Sequence, residues 1–441
     1  MSASFARLAD LSEYLVDVKF GIIEYVMELP RHPGTPDFFH YFSNACNTQA
    51  FGEFQNFNNA GGASVSREVA LAKAIGEAVE RYCSAIYDLE SLPLTSYEDA
   101  SFDCVEPKTF ALYSEEQYEQ PGFMWVPFDN TTTVRWTKAL DPLSGDRIHV
   151  PASMVYMPYY FHFGSGDMPI GQPISTGMAC HCSPAEAAIS GVCEVIERDA
   201  LMITWQAMLA PPQISVETLS DENYDRVKRF ERLGSRVTLL DMTTDIGIPT
   251  VLSVLQSPGE EVPALVFAAS TALDPEEAVC KSLEELAHTR RYCHTIKAWM
   301  PRIVPNPPSH DNITDQMTHL NFWTDHRNAH LADFIFQSPE RIDFEKMENL
   351  STGDPRKDLE ILCQRAKAIN HQVLIIDLTT PDVQDLGLTV VRALIPGFHP
   401  LFMSYRNRSL GSTRLWEVPQ KLGYPGINRE SGDNPSPHMY P

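Results

Sequence analysis

The apolar positions of this chain follow two periods. Residues 66–86, 184–205 and 275–292 repeat alanine, valine and isoleucine at three- and four-residue spacing, which predicts three helices. Residues 221–233 and 359–368 predict two more. Short apolar or β-branched runs at 21–29, 132–138, 237–241, 249–256, 264–269, 373–378 and 388–394 predict strands, with 125–128 and an aromatic pair within 150–161 as further ones. The proline-rich stretch 302–308 and the polar, His-rich stretch 309–336 read as loops. Helices segregate from strands rather than alternating with them, so the expected fold class is α+β with mixed sheets. No linker separates independent domains. Residues 1–50 are an N-terminal extension or the start of the domain, 51–441 form one unit, and 435–441 are its proline-rich tail.

The helical runs also carry the chemistry. Glu77-Ala-Val-Glu80-Arg81 recurs as Glu194-Val-Ile-Glu197-Arg198, and each leading glutamate has an alanine seven residues before it, Ala70 and Ala187. A degenerate third copy keeps that spacing from Ala278 to Glu285 and continues with His288, Arg290 and Arg291. Residues three apart share a helix face, so each complete copy presents two carboxylates side by side. Clustered carboxylates repel one another and suit Mg²⁺, which is held by carboxylates together with substrate phosphates. The arginines carry the planar fork that matches phosphate oxygens. One copy alone would read as a surface i,i+4 ion pair; the repetition speaks against that.

Composition narrows the partners. The 441 residues are 43% hydrophobic with a net charge of −24, which excludes nucleic acid and anionic membrane surfaces as partners. Nine cysteines without framework spacing indicate reduced thiols and a cytoplasmic protein, and there is neither a signal peptide nor a membrane-spanning run. There is no Gly-x-x-x-x-Gly-Lys-Ser/Thr loop and no Gly-x-Gly-x-x-Gly after a strand, so a nucleotide must be held in another way. Gly61-Gly62-Ala63-Ser64 reads as a loop whose N–H groups could meet a phosphate. Cys180-His181-Cys182 and His288 with Cys293-His294 lack zinc-site pairing. The end, Asn434-Pro-Ser-Pro-His-Met-Tyr-Pro441, is either a disordered terminus or a stiff arm.

Together these motifs resemble the YcaO family. The resemblance rests on residues 66–81, 175–205 and 274–290, on Val390–Gly397 (Val-Val-Arg-Ala-Leu-Ile-Pro-Gly), on 411–423 and on the tail, and covers most of the chain from about residue 52. It implies ATP held through Mg²⁺, with Glu77, Glu80, Glu194 and Glu197 as metal or nucleotide ligands. Arg81, Arg198 and Arg290 would contact phosphate; Ser66, Glu186 and Glu285 would support the nucleotide, and the Pro441 carboxylate, with Arg290 and Glu285, would assist catalysis. Members with such tails look like azoline-forming cyclodehydratases, which convert Cys, Ser or Thr of a ribosomal precursor peptide to thiazoline or (methyl)oxazoline. The implied partners are that peptide, a separate ThiF/E1-like leader-binding protein, a flavin-dependent dehydrogenase and a second copy in a homodimer. Thioamide or amidine synthesis and a non-catalytic scaffold are the alternatives. Three positions depart from the family pattern: Lys73 replaces a small serine, His181-Cys182 a Gly-Asn-type pair, and Ser190 a Gln or His.

Overall fold

The computed structural model describes residues 3–440 apart from 33, 111, 162 and 163, so the Pro441 expectation lies outside the described residues. The three predicted helices form as Arg67–Ser84, Pro184–Gln206 and Pro275–Trp299, and are referred to below as the first, second and third glutamate helices. Each starts at a side-chain cap that accepts a backbone N–H: Ser66 from Val69, Ser183 from Glu186, Asp274 from Glu276. Each follows a strand, Asn59–Ser64, Met178–His181 or Leu265–Thr271.

Those strands belong to three different sheets. The first sheet is antiparallel, in the order Ile23–Glu28, Phe39–Ala45, Asn59–Ser64. The second runs Leu265–Thr271, Thr250–Gln256, Arg236–Asp241, Gln213–Ile214, Arg341–Ile342; its last pair is parallel, which makes it mixed. The third is built on Val134–Leu140, Leu374–Asp377, Thr389–Leu394 and Met178–His181, with Leu94–Thr95 and Arg147–Pro151 beside the first of these. Every glutamate helix lies on the sheet that its preceding strand enters, and the second also touches Leu265–Thr271. This is the expected α+β class.

Close approach is built into the contact. A Cβ on Gly62 would stand 2.4 Å from the Ala70 carbonyl, and one on Gly191 2.6 Å from that of Gly177, so only glycine lets these helices and strands meet. Gly61 to Ser64 therefore form a strand, not the expected loop. Residues 125–128 form no strand, and the aromatic stretch ends its strand at Pro151 and continues as a short turn, Ala152–Met154. Its rings pack instead, with Tyr156 stacked on Tyr87 at 4.2 Å. The weakly patterned 309–336 holds a helix, Gln316–Thr324, capped by Asp315, that buries Leu320, Phe322 and Trp323. The described part of the tail is not a disordered terminus: Asn434, Ser436, His438, Met439 and Tyr440 are buried.

Candidate active site

The three glutamate helices point one face each into a single cavity of about 1910 Å³. Glu77, Glu80 and Arg81 come from the first; Glu186, Glu194, Glu197 and Arg198 from the second; Glu285 and His288 from the third. The caps fix a common register. Glu77, Glu194 and Glu285 each lie eleven residues after Ser66, Ser183 and Asp274, and Glu80, Glu197 and His288 each lie fourteen after them.

Each of the four predicted ligand carboxylates is aimed by one backbone N–H. Gly61 donates to Glu77 at 2.9 Å, Cys180 to Glu80 at 2.7 Å, Gly177 to Glu194 at 3.1 Å and Thr271 to Glu197 at 3.2 Å. The leading glutamate of the first and of the second helix is thus held by the segment before its own helix. The second glutamate is held by the strand before the next helix in the chain. His288 closes the cycle, because a Cβ on Gly61 of the first strand would lie 2.7 Å from its Nε2.

Burial and like charges set how these carboxylates titrate. Burial and the charges of Glu77 and Glu194 push the Glu80 carboxyl well above the usual carboxylate range. Burial, with Glu194, pushes Glu197 up to about 7 against the pull of Arg198. Glu285 behaves oppositely: burial raises it, but the bond from His288 and the charge of Lys73 outweigh this and hold it down at about 2. Arg81 bonds Glu77 at 3.2 Å and Arg198 bonds Glu194 at 3.0 Å and also Glu197, while Nε of both arginines is buried without a partner. The i,i+4 pairs that a single copy would have suggested do form, but inside a cavity rather than on the surface.

This donor set fits Mg²⁺ bound with a nucleotide. Among the described residues no three Asp, Glu, His or Cys side chains stand close enough to hold a metal unaided. Mg²⁺ takes one or two carboxylates and completes its shell with water and phosphate oxygens, so paired carboxylates beside arginines with spare donors are an adequate cradle.

Other predicted residues fall around this centre. Glu186 accepts from Ser183 Oγ at 2.7 Å and from Ser4 Oγ at 3.2 Å, beside His181. Ser66 caps its helix and does not line the cavity. Arg290 is 5% exposed and is not among the lining residues. It is five residues past Glu285, which turns it about 140° away around the helix; Arg291 reaches the cavity wall instead.

Three lining residues were not singled out as site residues. Tyr440 donates to Glu197 Oε1 at 2.9 Å and lies under the Arg198 guanidinium at 4.2 Å, the arrangement of a cation–π contact. Lys73 pairs with Glu284 at 2.8 Å, and Lys281 with Glu277 at 2.7 Å. Both lysines stand seven residues past their caps, so the cap register identifies them as equivalent. Tyr440 carries no local signal, since only the path of the tail brings it there. Trp205 Nε1 donates to the Ser436 carbonyl at 3.3 Å and Trp323 Nε1 to that of His438 at 3.1 Å, which holds that path.

Comparison with known proteins follows the same lines. The profile of a family described as YcaO cyclodehydratase, ATP- and Mg²⁺-binding, matches residues 61–399. A protein of Methanothermobacter thermautotrophicus is 30% identical over 351 residues, covering 76% of this chain and 80% of its own. One from the tfuA 3′ region of Rhizobium leguminosarum bv. trifolii is 29% identical over 243 residues, 52% of this chain and 54% of its own. Among solved structures, a heterocyclase in complex with substrate and cofactor superposes with a TM-score of 0.81 at 19% identity, over 99% of this chain. The chain spans 57% of that heterocyclase's length. YcaO from Methanopyrus kandleri bound with AMPPCP and Mg²⁺ gives 0.62 at 19% identity, covering 89% of each chain. A chain of the E. coli microcin synthetase McbBCD complex gives 0.60 at 15%, covering 85% of this chain and 88% of its own. This chain therefore belongs to the YcaO family and is an enzyme that uses ATP and Mg²⁺.

Proposed function

We propose that the chain is a peptide cyclodehydratase that converts Cys, Ser or Thr of a ribosomally made precursor peptide to thiazoline or (methyl)oxazoline. The observation that carries this reading is the convergence of four N–H-aimed carboxylates and two arginines on one cavity, with the C-terminal arm threaded to Glu197. In the reaction the substrate's thiol or hydroxyl adds to the preceding backbone carbonyl, and its proton passes to a base. That addition closes the five-membered ring; ATP would supply the phosphoryl group that makes the former amide oxygen a leaving group, and departure of phosphate with the former amide N–H proton would form the C=N bond of the azoline, leaving ADP.

Each residue has a part that its position supports. Glu77, Glu80, Glu194 and Glu197 would hold Mg²⁺ and orient the triphosphate, which is most of what phosphoryl transfer asks of a protein. Arg81 and Arg198 would turn their free Nε–H groups toward phosphate oxygens, where preorganised donors stabilise developing charge. Tyr440 holds Arg198 and Glu197 in register, and the Pro441 carboxylate would assist catalysis as the family resemblance implies. Glu285, kept ionised beside Lys73 and His288, and Glu186 complete the polar wall. A leader-binding ThiF/E1-like protein would present the precursor, a flavin-dependent dehydrogenase would oxidise the rings, and residues 51–441 would act as one unit in a cytoplasmic homodimer.

The test is the intact mass of the precursor after incubation with this chain, its partner and Mg-ATP. Loss of one water per cyclised residue, abolished by Glu197→Gln, is the expected result. Exchange of oxygen for sulfur when sulfide is present would move the assignment to thioamide synthesis, and no mass change without ATP consumption would leave a scaffold.

A further inference from the structure

The cavity is larger than a nucleotide requires. A compact ligand occupies a pocket of about 300–1,000 Å³, against about 1910 Å³ here. The charged faces of the glutamate helices make one part of the wall. A second part includes Phe57, residues 122–125 and 157–160, Leu401 and Met403, and is largely apolar and aromatic. Phe57, Met124 and Tyr160 stand 51%, 66% and 51% exposed along it. Large apolar side chains left in water at the mouth of a catalytic cavity mark a contact surface.

This wall is rigid and is tied to the carboxylate centre. Trp125 Nε1 donates to Asn407 Oδ1 at 3.1 Å, and Asn407 Nδ2 donates to Gln172 Oε1 at 3.1 Å, which also accepts the Met403 N–H at 3.2 Å. Tyr160 rests against Phe54 with ring centroids 5.6 Å apart. Ser84, three residues past Arg81 on the first glutamate helix, donates through Oγ to the Met157 carbonyl at 2.8 Å. A peptide lying along the aromatic wall therefore meets the phosphate-handling groups at its inner end.

We propose that this wall is the substrate's specificity subsite: it seats the peptide segment flanking the residue to be cyclised and selects large apolar or aromatic side chains there, through Met124, Trp125 and Tyr160. The proposal rests on the peptide reading above. Its occupant is the substrate itself, since the wall is part of the same cavity in which the amide must be activated.

Binding of short fluorescein-labelled peptides, measured by anisotropy with Mg-AMPPNP present, tests it. Each peptide carries one central Cys flanked by Leu-Phe, Gly-Gly or Asp-Asp. The Leu-Phe peptide is expected to bind about tenfold more tightly than the others, the scale on which apolar pockets discriminate. Met124→Ser and Tyr160→Ser should each erase that preference while leaving AMPPNP affinity and Tm unchanged. Equal binding of all three peptides by the wild type, or a preference that survives both substitutions, overturns the subsite. Mass analysis of the precursor is read separately: ring formation without discrimination sinks this inference alone, and discrimination without any mass change sinks the azoline reading alone.

Discussion

At the scale of single residues, the cavity trades stability for function. Glu80 is buried, is crowded by Glu77 and Glu194, and has one backbone N–H to satisfy it. Glutamine keeps an acceptor for the Cys180 N–H but carries no charge. Glu80→Gln should therefore raise stability by roughly 1 kcal/mol, seen as a higher Tm, while lowering peptide turnover at least about 100-fold through loss of preorganised charge. A lower Tm would show that the carboxylate is a structural group rather than a strained ligand. The lysine at position 73 has a comparable logic. Burial opposes its charge, but Glu284 and Glu285 outweigh burial and hold its pKa above the usual lysine value. Its departure from the family's small serine is thus compensated within the third glutamate helix.

At the scale of elements, the second glutamate helix is the pivot. The residue after Arg198 is Asp199, fully buried, whose carboxylate meets Arg414 at 2.8 and 2.7 Å and accepts the His399 N–H at 2.8 Å. Arg414 also reaches Asp245 at 2.7 Å and lies over the Phe398 ring at 4.2 Å. The helix Thr413–Lys421, the turn at 397–399 and the 245 loop are locked onto the second glutamate helix one residue from Arg198. Removing one partner leaves a buried charge uncompensated, so Arg414→Ala should cost about 3–5 kcal/mol in urea denaturation. The double variant Asp199→Asn/Arg414→Met should recover much of that loss. A single-variant loss below about 1 kcal/mol would reduce this network to the value of a surface pair.

At the scale of the whole molecule, the C-terminal arm closes the cavity and brings a pH dependence with it. His438 and His319 stack with centroids 3.6 Å apart, His438 Nε2 lies 2.7 Å from the Phe402 carbonyl, and His319 Nδ1 lies 3.0 Å from the His438 carbonyl. Burial lowers His319 from 6.5 to about 4, helped by His310 and opposed by the His438 and Met403 carbonyls and Asp315. Burial, His319 and Arg198 lower His438 further, against the Phe402 carbonyl. The unfolded chain thus binds protons on these rings that the folded chain does not. The contribution of these two rings to stability is complete above about pH 6.5 and is lost as pH drops toward 4, by up to about 1.4 kcal/mol per pH unit for each ring. Tm measured from pH 7.5 to 5 should decline, and His319→Gln should flatten the decline. An unchanged slope in that variant would place the acid sensitivity elsewhere.

The sequence by itself determined the three glutamate helices, their repeated glutamate spacing and seven of the fourteen described strands, because helix periodicity and short β-branched runs act over a few residues. It also carried the family resemblance, through the repeated Glu-x-x-Glu-Arg motif, the stretch 390–397 and the proline-rich tail. It left the helix Gln316–Thr324 unread, as burial of Leu320, Phe322 and Trp323 against distant strands overrides its weak local pattern. Only the tertiary structure decided that Arg290 turns away while Arg291 reaches the cavity. Only the tertiary structure joined Cys180 to Glu80, Thr271 to Glu197 and Tyr440 to Arg198, contacts that span 100, 74 and 242 positions in the chain. Such pairings depend on where three sheets place their helices, and no local spacing encodes that.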